Sequence, residues 1–304
     1  MKRTDINIRD PFILLHDGKY YLYGTRSATC WGPADGFDCY VSSDREEWEG
    51  PIEIFHRPEG FFADSFYWAP ECYEYEGKFY LVTTLGTLDN SRKKGTYILR
   101  ADSPEGPFDI YSGRITPADW TCIDATLYIE DGTPWIVFSH SFEDPGSLDG
   151  DYCLLRLADD LKTAAGHEDG SPADPEDVVT LFSASQCPWA TPVPFAKAEF
   201  GIDGDVFFSD GPGLLEINGT LFMINSSWSG RGYAVGVAYS ETGRIAGPWK
   251  IQEEPLYPEN GGHGMFFRDK DGEIIFTLHY PNDKYQERPI FVQVKEENGT
   301  LVLK

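Results

Sequence analysis

Arg9-Asp10-Pro11-Phe12-Ile13-Leu14-Leu15-His16-Asp17-Gly18-Lys19-Tyr20-Tyr21-Leu22-Tyr23 reads as an apolar run, a two-residue turn and a second apolar run. Asp-Gly between two such runs signals a hairpin, because both turn positions need a positive φ. The phrase returns at Glu76-Gly77, Asp131-Gly132, Asn218-Gly219 and Asp271-Gly272, each followed by a run such as Phe79-Tyr80-Leu81-Val82 or Leu221-Phe222-Met223-Ile224. A further apolar run follows most of them, for example Cys39-Tyr40-Val41 and Tyr97-Ile98-Leu99. Three units then close on Gly50-Pro51, Gly106-Pro107 and Gly247-Pro248. Helix signals are nearly absent. Five restarts of about four strands each predict an all-β chain, a single-domain five-bladed β-propeller over residues 1–304. A β-sandwich is the rival, but it offers no reason for one hairpin to restart five times.

In a propeller the first strand of each blade lines the central channel. Counting back eight residues from each turn glycine lands on Asp10, Ala69, Asp124, Gly211 and Gly264. One residue earlier in the last two units stand Asp210 and His263. Side chains alternate along a strand, so Asp10 and Asp124 should point alike and Asp210 should approach from another angle. The same alternation sends Arg9 to the face away from Asp10. Three carboxylates on three channel strands are the residue type that glycosidic bond hydrolysis uses. The step from Asp124 to Gly211 is longer than the others. Its excess, roughly residues 160–205 and rich in Asp, Pro, Ala and Ser, reads as a long loop able to shape a binding site.

The chain carries a net charge of −25 and 15% aromatic residues. Such a surface repels phosphate backbones and anionic lipid, so neither nucleic acid nor membrane is an expected partner. Aromatic faces suit sugar rings, although β-proteins also spend aromatics on their cores. The six cysteines, Cys30, Cys39, Cys72, Cys122, Cys153 and Cys187, form no CxxC pair and read as inert thiols. The opening Met1-Lys2-Arg3-Thr4-Asp5 has no apolar leader pattern. Together these give the expectation of a cytoplasmic protein.

On Ile8-Arg9-Asp10-Pro11, Asp124, Ser209-Asp210-Gly211-Pro212 and Gly262-His263-Gly264, the chain resembles glycoside hydrolase family 43 over almost its whole length. The resemblance implies an inverting, five-bladed enzyme acting on arabinose- or xylose-containing saccharides, of α-L-arabinofuranosidase, β-xylosidase or arabinanase type. It implies Asp10 as general base, Asp124 as the group that tunes and orients the acid, and Asp210 as general acid where the family usually has Glu. Trp68-Ala69-Pro70-Glu71 resembles the motif lining the substrate pocket, which puts Trp68 and Glu71 in contact with sugar. Arg288 resembles a sugar-contacting arginine, and His263 a residue that faces an ion or water in the channel. Trp31, Trp68 and Trp189 are expected stacking surfaces, with Phe66, Trp120 and Trp228 as further candidates. No redox cofactor is implied. Calcium is the cation expected if the channel holds one, since carboxylates and carbonyls suit hard ions. The expected partner is a pentose-containing oligosaccharide. Three alternatives stand beside this. A retaining fructosidase-type hydrolase shares Arg-Asp-Pro and the Glu71-Cys72 pair, but the Asn-Asp-Pro motif is absent. A phosphorylase would need a basic cluster for phosphate. A non-catalytic carbohydrate-binding propeller would need neither acid nor base.

Overall fold

Every one of the five turns closes a hairpin in the computed structural model, which describes residues 1–304. Four are two-residue turns with positive φ at both positions: Asp17-Gly18, Glu76-Gly77, Asp131-Gly132 and Asn218-Gly219. The fifth is longer. Arg268 pairs with Ile274, and Oδ1 of Asp269 accepts the N–H groups of Asp271 and Glu273 to hold the loop between them.

The hairpins open five four-stranded antiparallel sheets, each in sequence order. Blade 1 comprises β1 (Ile8–His16), β2 (Lys19–Arg26), β3 (Gly36–Ser42) and β4 (Glu49–His56). Blade 2 comprises β5 (Ser65–Tyr75), β6 (Lys78–Gly86), β7 (Gly95–Ala101) and β8 (Asp109–Ile110). Blade 3 comprises β9 (Cys122–Glu130), β10 (Thr133–His140), β11 (Asp151–Arg156) and β12 (Val179–Ser183). Blade 4 comprises β13 (Asp210–Ile217), β14 (Thr220–Ser229), β15 (Gly232–Ser240) and β16 (Lys250–Ile251). Blade 5 comprises β17 (Gly262–Arg268), β18 (Ile274–Tyr280), β19 (Arg288–Glu297) and β20 (Thr300–Leu303). The chain is a single-domain, all-β, five-bladed propeller.

Alternation along each strand gives both blade faces apolar residues, and the core is divided accordingly. One cluster lies between each pair of neighbouring blades: Phe12 and Tyr23 against Leu81 and Cys72, Val82 and Ile98 against Phe138, Val137 and Tyr152 against Met223, Phe222 and Val237 against Phe276, and Leu22 and Trp48 against Phe267. Such burial contributes roughly 1.5–3 kcal/mol per large side chain. No blade mixes strands from the two chain ends, so the ring closes by packing and by a few long-range bonds. The Asn7 amide donates to the Glu287 carbonyl at 2.8 Å, and Nε of Arg288 donates to the Thr4 carbonyl at 2.9 Å.

The excess length after Asp124 resolves into two pieces. Residues 157–178 lead to the outer strand β12. Residues 184–209 turn back over the top of the channel, where Phe142, Val193, Ala196 and Val206 form a small sixth cluster with Phe195 and Trp228 packed on it. The six cysteines are buried and unpaired.

Candidate active site

The innermost strand of every blade carries a bulge at one equivalent place, seen as a register shift against its second strand. The bulged residues are Asp10, Ala69, Asp124, Gly211 and His263, with φ of 52°, 45°, 60°, 52° and 36°. A non-glycine residue there costs about 1–3 kcal/mol and needs outside support. Asp210 precedes the bulge by one residue, so its offset from Asp10 and Asp124 is real. His263, by contrast, sits in the bulge itself and aligns with Asp10. The longer fifth turn displaced it from the glycine count.

Support for the bulges comes from the neighbouring blade. Thr25, Thr84, Ser139, Ser226 and His279 stand opposite the residue before each bulge, on the second strands. The Ala69 N–H donates to Thr25 Oγ1 at 2.8 Å, the Asp124 N–H to Thr84 Oγ1 at 3.0 Å, and the His263 N–H to Ser226 Oγ at 3.1 Å. The Asp10 N–H donates to Nδ1 of His279 at 3.3 Å. Gly211 breaks the pattern: its N–H donates to Oδ2 of Asp124 at 3.3 Å, and the Ser139 hydroxyl is left without a partner. One backbone bond therefore ties the Asp124 carboxylate to the strand that carries Asp210. These supporting residues were missed in the sequence, where their only signal is pairing register.

The bulges aim the acids at the channel axis. Nδ1 of His263 lies 3.5 Å from Oδ1 of Asp10, 3.5 Å from Oδ2 of Asp124 and 3.1 Å from Oδ1 of Asp210. The facing oxygens of Asp10 and Asp210 are therefore no farther apart than their two legs to Nδ1 laid end to end. Even that upper limit only reaches the lower edge of the roughly 6.5–9.5 Å of inverting carboxyl pairs. Oδ1 of Asp210 is out of hydrogen-bonding line with the imidazole and buried without a donor. Oδ2 of Asp10 accepts the Thr25 hydroxyl at 2.6 Å.

These neighbours separate the protonation states. Burial alone would raise the Asp10 carboxyl, but the charge of His263, the His279 ring and the Arg9 guanidinium outweigh it and hold it far below the usual carboxylate range. Burial raises the Asp124 carboxyl to about 8, with the charges of Asp210 and Asp10 adding and His263 opposing. Burial pushes His263 down, and the surrounding charges of Asp124, Asp10 and Asp210 overcome it to raise the imidazole to about 10. Asp10 is thus held toward its ionised form and Asp124 toward its protonated form.

Above the axis opens a cavity of about 350 Å³ lined by Asp10, Asp124, Asp210 and His263. Trp31, Trp68 and Trp228 form aromatic wall, and the turned-back segment adds Phe195, Glu199 and Phe200. Trp31 is 46% exposed, with the Arg9 guanidinium and Lys284 Nζ each 5.3 Å from its ring. Trp68 is fixed by its indole N–H donating to the Cys30 carbonyl at 2.8 Å and by Lys94 Nζ 5.0 Å from its ring. Lys94 is itself paired to both oxygens of Glu143, another lining residue, at 2.7 Å.

Several expected residues lie elsewhere. Trp189 is buried between blades 3 and 4, lying so close on Gly236 that a Cβ there would meet the indole at 2.3 Å; it is core. Arg288 donates to the carbonyls of Thr4 and Glu287 outside the cavity, because it opens the third strand of its blade, away from the axis. Glu71 is buried beneath the cavity, accepting from the Tyr73 hydroxyl; burial raises it to about 7 against that bond. Trp120 stacks on His140 at 4.0 Å, and Phe66 packs edge-on with Trp68, with Lys94 Nζ 5.0 Å from its ring. Arg9, in contrast, does line the cavity. The bulge at Asp10 breaks the alternation that would have sent it to the other face.

For calcium, Asp124, Asp210 and His263 bring two carboxylate oxygens and one imidazole nitrogen within 4.8 Å of one another. Calcium takes roughly 6–8 oxygen ligands. These side chains do not by themselves form such a cage.

The sequence profile of Glycosyl hydrolases family 43 matches residues 5–296. The endo-arabinase from Bacteroides thetaiotaomicron VPI-5482 has a similar structure, with a TM-score of 0.84 and 33% identity over 99% of this chain and 98% of that one. A thermostable family-43 glycoside hydrolase shares the fold with a TM-score of 0.78 at 22% identity, over 98% of this chain and 93% of that one. The extracellular exo-α-(1→5)-L-arabinofuranosidase ArbA of Cellvibrio japonicus (strain Ueda107) is 26% identical over 175 residues, 53% of this chain and 46% of that protein. The matched part thus spans about half the length of that relative.

Proposed function

The chain belongs to glycosyl hydrolase family 43, and from that premise we propose that it hydrolyses pentosyl linkages in arabinose- or xylose-containing oligosaccharides by single displacement, arabinan-type chains first. The observation that carries this is the convergence of Asp10, Asp124 and Asp210 on His263 at the floor of one aromatic-walled cavity. The preference for arabinose follows the two relatives, one an endo-arabinase and one an exo-arabinofuranosidase.

Asp10, ionised and steadied by Thr25, takes a proton from a water that attacks the anomeric carbon. Asp210 gives a proton to the leaving oxygen as the glycosidic bond breaks. Water is thereby added across the bond, and the two carboxyls exchange their protonation states. Asp124 stands in reach of the same His263 nitrogen as Asp210 and accepts the Gly211 N–H, which ties its carboxyl to the strand that carries the acid. His263 offsets the carboxylate charge in the cluster. Trp31 and Trp68 supply the faces for the sugar rings.

The test is proton NMR of the first-formed sugar during hydrolysis of arabinan and xylan oligomers. An inverted anomer is expected, with Asp10→Asn and Asp210→Asn each losing most of the activity. A retained anomer sinks single displacement. An active Asp210→Asn variant moves the acid elsewhere, Glu199 being another carboxylate that lines the cavity.

A further inference from the structure

Arg9 enters the cavity beside Asp10 with its charge already answered. Its Nη1 donates to Oε1 of Glu287 at 2.8 Å and to Oδ1 of Asn282 at 3.0 Å. Glu287 is wholly buried, and its other oxygen accepts the Ser27 hydroxyl at 2.7 Å. This pair crosses the ring closure from blade 1 to the segment before β19. A closure latch would need no more than Nη1. Yet Nε and Nη2 make no hydrogen bond within the protein, and neither is sealed from the cavity. Nε lies 4.0 Å from Oδ1 of Asp10, and the guanidinium carbon stands 5.3 Å from the ring of Trp31. Arg9 is the only arginine lining the cavity, since Arg288 is engaged outside it.

A guanidinium stays protonated and presents its donors as a rigid fork. Anchored at Nη1 and open at its other nitrogens, it holds those donors at a set distance from the base. A sugar placed for attack by a water on Asp10 brings its anomeric carbon close to that carboxylate. The hydroxyl nearest the anomeric carbon is the one at C2. We propose that Arg9 is a substrate-binding residue that donates through Nε and Nη2 to the 2-hydroxyl of the pentosyl unit being transferred, with Glu287 and Asn282 as the seat that aims it. This rests on the hydrolase function proposed above. Contacts to a 2-hydroxyl strengthen as the oxocarbenium character grows, so the effect should appear in kcat as well as KM.

The experiment is a cycle of two enzymes and two substrates: wild type and Arg9→Gln, each with 4-nitrophenyl α-L-arabinofuranoside and its 2-deoxy-2-fluoro analogue. On the hydroxylated substrate Arg9→Gln should lower kcat/KM by about 10- to 150-fold, the range of a hydrogen bond to a charged group. On the fluorinated substrate the same substitution should cost less than about threefold. Any change in Asp10 ionisation or in ring closure would fall on both substrates equally and cancels in the cycle. Equal losses on the two substrates overturn the proposal and leave Arg9 as a latch. If Arg9→Gln does not fold, Arg9→Lys keeps the charge and the reach to Glu287 but not the fork, and the same cycle decides. A wild-type protein that cleaves neither these glycosides nor arabinan and xylan oligomers refutes the hydrolase function instead. The cycle is then run on calorimetric binding of arabinobiose and its 2-fluoro counterpart, where an unchanged Kd for Arg9→Gln overturns the assignment and a selective tenfold loss upholds it.

Discussion

Thr25→Val removes one hydroxyl that serves two blades, and its cost is calculable from the contacts. The Thr25 hydroxyl donates to Oδ2 of Asp10 at 2.6 Å and accepts the N–H of Ala69 at 2.8 Å, in a residue only 1% exposed. Valine has nearly the same shape, so little cavity term enters. Losing the donor to a buried carboxylate costs about 1.5–3 kcal/mol, and stranding the Ala69 N–H about 1–3 kcal/mol. A total of about 2.5–6 kcal/mol is a large share of the ~5–15 kcal/mol that holds a domain folded. The first part also has a pH signature. Asp10 has a folded pKa held below its unfolded one. It therefore contributes stability above the unfolded value, and that contribution is lost as pH falls through the folded value. Without the hydroxyl the folded pKa climbs toward the usual carboxylate range. The deficit of the variant should thus be largest at neutral pH and shrink in acid, and the acid limb of kcat/KM should move up by the same amount. Denaturant titration at several pH values and a pH–rate profile measure both, with Thr25→Ser as the control that keeps the hydroxyl. A stability loss with an unmoved acid limb would refute Asp10 as the titrating base. A variant as stable as wild type would refute the joint itself.

Two further outcomes test the geometry from other sides. Gly211→Ala forces a side chain onto φ +52° with its Cβ 2.9 Å from the His263 ring; it should cost at least about 1–3 kcal/mol in stability and depress kcat more than KM, whereas an unchanged kcat would mean that His263 need not hold its place. Trp31→Ala and Trp189→Ala should separate binding from folding: the first should raise KM about 2- to 10-fold from lost stacking with little change in Tm, and the second should cost about 3–5 kcal/mol of stability with KM unmoved, as equilibrium unfolding and steady-state kinetics will show.

The hairpin repeat was legible because its causes are local. Asp17-Gly18 and its three two-residue counterparts need positive φ at both positions, which few residue pairs accept, and the flanking runs alternate over short range. Blade number and the identity of Asp10, Asp124 and Asp210 follow from that repeat. Arg9 was misplaced for an equally local reason: alternation holds only in a regular strand, and the extra residue at Asp10 is invisible without its pairing partner. Trp189 packs in the core and Arg288 lies outside the cavity, because neither residue type nor a motif fixes which way a side chain faces once the blades pack.

The sequence by itself determined the five blades, the channel strands and the three acids, all consequences of short-range turn and strand chemistry. Only the tertiary structure decided what those acids do to one another. Their ionisation depends on Nδ1 of His263 standing within 3.5 Å of all three, and on the burial that raises Asp124 while Asp10 stays charged. Electrostatic energy depends on distance through space and on the exclusion of water. Residues 10, 124, 210 and 263 acquire both only when the ring closes.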